Sequence, residues 1–271
     1  MHEIHAFPIL GFREPFNCLS HAIGACVFSG LAIVLLRRGR GDRMRMVSLA
    51  VMAFATVQTL ILSTIYHMNW PGPFREIMLR ADVAGIFLLM AGCFTPVHMI
   101  LFQGSARSVP LIFVWTVALG GILLRMLYFD RLPNIAGILI FLALGWGGAV
   151  TAAVVWHRFG WRFVRSAVLA GLVYTIGAIS LLVHRPMIVD GLIGPHELWH
   201  LAVLSGLGLH WNFVFQFASG LRPGTEIWRL PGMIPVAAPQ LTMVPSEYRP
   251  SFEPLHSQRH LSSEEFERRA S

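Results

Sequence analysis

The sequence predicts an all-α membrane protein, a bundle of seven transmembrane helices, and three observations carry that prediction. Of its 271 residues, 55% are hydrophobic and 13% charged, where a soluble domain has about 45–50% and about 25%. The apolar residues come in long runs of bilayer length rather than at amphipathic spacing. The basic residues, every one an arginine, collect in short clusters between those runs, as topology signals do.

The runs fall at 16–36, 46–66, 83–102, 109–129, 135–156, 166–183 and 198–218. Each holds about 18 to 22 residues, enough to cross about 30 Å at about 1.5 Å per residue. Lipid offers the backbone no hydrogen-bond partner, so each run is expected to be a helix. In the third, Pro96 is expected to introduce a kink. The fourth is the weakest, because it contains Arg125. In the fifth, Gly145, Gly147 and Gly148 suit close helix contact. Residues 1–15 form a mixed N-terminal segment with acids and no sign of a signal peptide. Residues 16–219 make the bundle. Residues 220–271, with seven prolines and scattered charges, are expected to be a polar tail with little fixed structure. Arg37, Arg38, Arg40, Arg43 and Arg45 in the first loop, and Arg158, Arg162 and Arg165 in the fifth, place the odd loops and the tail in the cytoplasm.

The composition also excludes several functions. Without any lysine, Schiff-base and P-loop chemistry drop out. Despite the net charge of +7, arginines confined to loop clusters define no nucleic-acid surface. Cys18, Cys26 and Cys93 are odd in number and lack CxxC spacing, so they read as small buried hydrophobes. No GxSxG elbow, Gly-rich phosphate loop or internal repeat is present, and the last absence argues against an inverted-repeat transporter.

An ionisable side chain in a membrane helix costs about 2.5 to 3.5 kcal/mol and by default faces the bundle interior with a function. Ser63 and His67 lie four apart in STIYH at the end of helix two, on one face. Asp82 follows at the start of helix three. His196 and His200 are four apart in PHELWH at the start of helix seven, just after Pro195. Helices three to six make an even number of crossings, so all five residues share one membrane side. Two imidazoles on one helical turn, a third from another helix and a nearby carboxylate form a catalytic zinc site with the fourth position left for water. Nitrogen ligands favour zinc over calcium or magnesium, and the absence of a thiolate or redox motif favours it over iron or copper. Asp82 would accept or hold the proton of the water, and Ser63 would hydrogen-bond the water or the developing oxyanion.

HELWH is formally the H-E-x-x-H signature of zinc peptidases. No third ligand follows it within the bundle except the distant His210, so the third ligand must come from upstream, and His67 is the candidate. Glu197 then suits the positive N-terminus of its helix better than the role of general base. His98 and His210 lie about 24 and 21 Å along their helices from Asp82 and His196, toward the opposite side, and read as helix-to-helix hydrogen-bonders. His21 and His184 lie at the site's end of the membrane, where a supporting role competes with the same reading.

With these residues in place, the sequence resembles the hemolysin III and progestin/adipoQ receptor family, within a superfamily that includes alkaline ceramidases. Three blocks carry the likeness: FNCLSHAIGACVFSGLA, STIYH with LRADVAGIFLLMAGCFTP, and HELWHLAVLSGLGLHW. The resemblance implies a seven-helix bundle holding zinc on His67, His196 and His200, with Asp82 and Ser63 around the zinc-bound water. It implies hydrolysis of ceramide-like lipid amides or esters, with membrane lipids as partners and a lipid-like substrate or ligand in a bundle cavity. Two alternatives come with it: a receptor or signalling module with a structural zinc, and a pore-forming haemolysin. The adiponectin receptors of the family imply a cytoplasmic N-terminus, opposite to the arginine count, so both orientations stand. Oligomeric state is not legible in the sequence.

Overall fold

The computed structural model describes residues 11–131, 134–189 and 193–220. Among them are seven α-helices: α1 (Pro15–Gly39), α2 (Arg43–Met68), α3 (Pro73–Leu101), α4 (Ser105–Leu127), α5 (Asn134–Phe159), α6 (Trp161–Val183) and α7 (Pro195–Phe215). A 3-10 turn at Phe129–Arg131 and an isolated bridge between Val189 and Ile193 complete the described elements. The first compact unit, Met1–Pro231, contains them all; the second, Gly232–Ser271, lies outside the described residues, as does the expected tail beyond Gly220.

Local chemistry sets the boundaries. Prolines open α1, α3 and α7, where the missing N–H is not needed and the fixed φ suits a helix. The Asp42 side chain caps α2 by accepting from the Arg45 amide at 2.7 Å. Gly104 (φ 58°) and Gly160 (φ 82°) supply the left-handed turns into α4 and α6.

Six helices, α1 to α6, are long and apolar enough to cross a membrane. The expected seventh apolar span is corrected: α7 is there as a helix of 21 residues, but His196, Glu197, His200, His210 and Asn212 lower its apolarity. Helix three also differs. It starts at Pro73, ten residues before the apolar run at 83, because the polar stretch with Arg75, Glu76 and Arg80 is helical too. Asp82 therefore sits not at the helix start but roughly 14 Å along it. The same helix runs on through Pro96.

The helices pack mainly as sequential neighbours, α1 on α2, α2 on α3, α3 on α4 and α6 on α7, and α1 also meets α7. Consecutive α4 and α5 hardly touch each other; α5 leans instead on α6 and lightly on α3. One core joins α1, α2, α3, α6 and α7 around Leu35, Met52, Leu60, Leu207 and Trp211, and the Trp211 indole donates to Thr56 Oγ1 at 3.2 Å. A second cluster, Phe87, Ala91, Val114, Ala118 and Leu144, ties α4 and α5 to α3. Ile23, Phe54, Ile112, Val150 and Ile176 face outward, as lipid-facing positions should. Arg125 is buried with its guanidinium over the Phe129 ring at 5.5 Å. Of the cysteines, Cys18 is buried, but Cys26 is exposed on the outer face of α1, so the buried reading is corrected there.

Close contact through glycine occurs, though not mainly where the sequence pointed. A Cβ on Gly148 would meet the Phe94 ring at 3.0 Å, whereas Gly145 and Gly147 face open space, because α5 lacks α4 as a neighbour. One tight point is Gly92 of α3, where a Cβ would stand 2.6 Å from Ala55 Cβ of α2. Gly92→Val is expected to lower the thermal unfolding midpoint of the detergent-solubilised protein, by an overpacking cost of about 1–3 kcal/mol. Gly120→Val, whose Cβ meets nothing, should leave that midpoint, followed by circular dichroism, unchanged.

Candidate metal centre

His67 is the penultimate residue of α2 and is 1% exposed. His196 and His200 sit in the first two turns of α7, where their four-residue spacing puts both rings on one face. The ligand-bearing nitrogens of the three residues lie within 4.8 Å of one another. His196 Nε2 and His200 Nε2 are 3.1 Å apart, and the His67 ring centroid stands 4.6 Å from that of His200 and 5.2 Å from that of His196. Two nitrogens bound at about 2.0–2.1 Å to one tetrahedral ion stand roughly 3.3 Å apart, so this spacing suits a shared cation.

The hydrogen bonds around His67 support the same assignment. Its Nδ1 lies 2.5 Å from Glu14 Oε2. A carboxylate only accepts, so the proton belongs on Nδ1 and the Nε2 lone pair is left open. That Nε2 is buried and has no hydrogen-bond partner. A buried, unpartnered imidazole nitrogen aimed at two others is what a metal ligand presents, and the three histidines could together hold a metal ion.

Glu14 is itself anchored. Arg75 Nη2 donates to Glu14 Oε1 at 2.6 Å, Arg75 Nε donates to the Asn69 carbonyl at 3.0 Å, and the guanidinium lies 4.1 Å from the Tyr66 ring centre. Burial pushes the Glu14 carboxyl up, but the His67 hydrogen bond and the Arg75 charge more than reverse this and hold it at about 2. One turn along α1, Asn17 Nδ2 donates to Glu197 Oε1 at 2.9 Å, and the other oxygen of Glu197 accepts from the Gly194 amide at 2.9 Å. Both Glu197 oxygens are thus engaged at the N-terminus of α7, the role its position in the first turn suggested. The first turn of α1 in this way steadies both ligand-bearing helices.

Ser63 is buried one turn before His67. The Asp82 carboxylate lies in the field of Ser63, His67 and Glu14. Helix parity placed all five residues at one end of the bundle, and the three histidines meet there, with Asp82 beside the trio rather than within its 4.8 Å set. The His21 ring lies tilted against that of His200, centroids 4.0 Å apart, whereas His184 is exposed and turned onto the Leu182 carbonyl. At the far end, His98 bonds the Ala106 carbonyl and Thr151, and His210 bonds the Cys93 carbonyl, each from helix to helix. Sequence reasoning missed Glu14, Asn17 and Arg75. The parity argument could have found them, since the start of α1 shares the membrane side on which α2 ends and α3 and α7 begin.

A family model described as haemolysin-III related matches residues 11–211. The chain is similar to Hemolysin-3 of Bacillus cereus, 26% identical over 196 residues, covering 72% of this chain and 86% of that protein. It is 23% identical over 200 residues to the Hemolysin-3 homolog of Bacillus subtilis (strain 168), covering 72% and 89% of the two chains. Over 212 residues it is 21% identical to the human Monocyte to macrophage differentiation factor, covering 76% and 84%. The matched range spans the region from just before Glu14 into α7 and so includes every residue of the centre.

Because the Glu14 carboxylate fixes the tautomer and orientation of His67, Glu14→Ala is expected to weaken metal binding about 10–100-fold. Chelator competition on the purified protein measures this; an affinity equal to that of the parent would mean that other contacts orient His67.

Proposed function

The chain belongs to the haemolysin-III related family of multi-pass integral membrane proteins, and on that premise we propose that it is a zinc-dependent hydrolase that cleaves an amide or ester bond in a lipid. One observation carries the reading: three imidazoles, those of His67 and His200 buried and that of His196 half-buried, converge at one end of the bundle, with the His67 Nε2 lone pair unpartnered and an acid beside it. The printed names of the relatives, a haemolysin and a differentiation factor, describe effects on cells rather than reactions, so the chemistry is argued from the site.

Three neutral nitrogen ligands suit zinc among the common divalent ions. Bound there, zinc would supply a water with a pKa lowered to about 7 and polarise the scissile carbonyl. His67, His196 and His200 hold the ion, and Glu14 and Arg75 keep His67 oriented. Asp82 takes up a proton at its carboxylate and returns it to the leaving amine or alcohol. Ser63, one turn from His67, steadies that carboxylate through its hydroxyl. Glu197, committed to the α7 N-terminus, takes no proton. The substrate approaches from the surrounding lipid, since α1 to α6 present apolar outer faces.

The competing reading from another class is a signalling protein in which the metal only staples α2 to α7. Alanine at His67, His196 or His200 should remove bound zinc and lipid-amide or lipid-ester hydrolysis together, measured by elemental analysis and by product release with and without chelator. Asp82→Asn should keep the metal and lose at least about 100-fold in turnover. Full turnover in zinc-free protein would refute the mechanism, and an Asp82→Asn variant as active as the parent would favour the staple.

A further inference from the structure

A gap between α4 and α5 starts near the end of the bundle opposite the metal centre and runs along the two helices. It is a laterally open groove of about 340 Å³, within the roughly 300–1,000 Å³ of small-molecule sites. Its walls are Pro110, Phe113, Val114 and Val117 of α4 and Ile140, Leu144, Gly147 and Thr151 of α5, and Phe94 of α3 forms its floor. The gap exists because consecutive helices α4 and α5 hardly touch, and Gly147 adds open space, a Cβ there meeting nothing within 4 Å. The one polar side chain in the lining, Thr151, is already bonded to His98. Water there would lack the two to four polar partners that it needs.

Depth and charge identify the occupant. α4 starts and α5 ends on the same membrane side, so their terminal turns lie level. Counting about 1.5 Å per residue from those ends, Pro110 lies roughly 8 Å deep, Thr151 roughly 12 Å and Ile140 roughly 28 Å. The groove therefore runs along the hydrocarbon layer, past the depth of one leaflet. On α4, the lining positions 110, 114 and 117 continue by helical spacing to Arg107; on α5, positions 144 and 151 continue to Arg158. Arg107 is fixed at the α3–α4 corner by its Nε bond to the Phe102 carbonyl at 2.9 Å, and Arg158 is exposed in the last turn of α5. Two arginines in terminal turns at headgroup level, in register with an apolar slot, match a phosphate that carries an acyl chain.

We propose that the α4–α5 gap is a binding site for an acidic phospholipid, with one acyl chain lying against Phe94 and Gly147 and the phosphate held between Arg107 and Arg158. The site is independent of the metal centre. A zwitterionic choline headgroup fits less well, because its own cation faces the same arginines.

Native mass spectrometry of the full chain in detergent, with equal amounts of dioleoyl phosphatidylglycerol and dioleoyl phosphatidylcholine, tests the proposal. Phosphatidylglycerol should be retained preferentially, and Arg107→Gln and Arg158→Gln should each reduce that preference about fivefold. Gly147→Phe, whose Cβ meets nothing within 4 Å and whose ring occupies the slot, should abolish retention while the helical circular dichroism persists. Equal retention of the two lipids, unchanged by the arginine variants, would overturn the proposal. So would a dimer that Gly147→Phe dissolves, since that would assign the gap to a second copy of the chain. If Gly147→Phe loses its helical signal, the two arginine variants decide the question alone.

Discussion

The hydrogen bond between Glu14 and His67 is the interaction on which the rest of the centre depends. An imidazole at the end of a membrane helix can present either nitrogen, and only the carboxylate at its Nδ1 commits it to offering the other. Removing that acceptor would free the ring to rotate. Arg75 matters for the same reason at one remove, since it neutralises and positions the acid. The chain of contacts from Arg75 through Glu14 to His67 crosses α3, the α1 cap and α2, so the geometry of the centre is fixed by how three helices pack.

This arrangement also explains how so many polar groups lie at one end of an apolar bundle. A buried charge is tolerable when it is paired and hydrogen-bonded. Glu14 has Arg75 and His67, Glu197 has Asn17 and the Gly194 amide, and Asp82 lies in the field of Ser63 and His67. Among the described residues, the buried imidazole nitrogens left without such a partner belong to His67, His200 and His21, which gather at one point. At the far end, His98 and His210 spend ring nitrogens on backbone carbonyls and a threonine. Histidines at the two ends of the same helices are thus distinguished by what surrounds them.

Much of this was legible in the sequence, and the exceptions have physical causes. Long apolar runs in lipid must be helices, so helix order could be read directly. The start of α3 could not, because Arg75, Glu76 and Arg80 interrupt the apolar signal without interrupting the helix. The metal-ligand candidates were legible because the His196/His200 spacing marks a shared helical face and the crossing number fixes the membrane side. Glu14 was hidden by distance: its partner His67 is 53 residues away, and an acid ahead of an apolar run looks like an ordinary solvated end. Gly145 and Gly147 misled, since small residues permit close packing but do not supply the neighbour.

The three proline-opened helices α1, α3 and α7 all begin at the metal-centre end, and each carries an acid in or beside its opening turn: Glu14, Glu76 and Glu197. Aligned peptide dipoles leave a partial positive charge at every such start. The acids therefore face a source of attraction built into the main chain, and that source has no proton to gain or lose. It stays constant across the pH range in which imidazoles change charge.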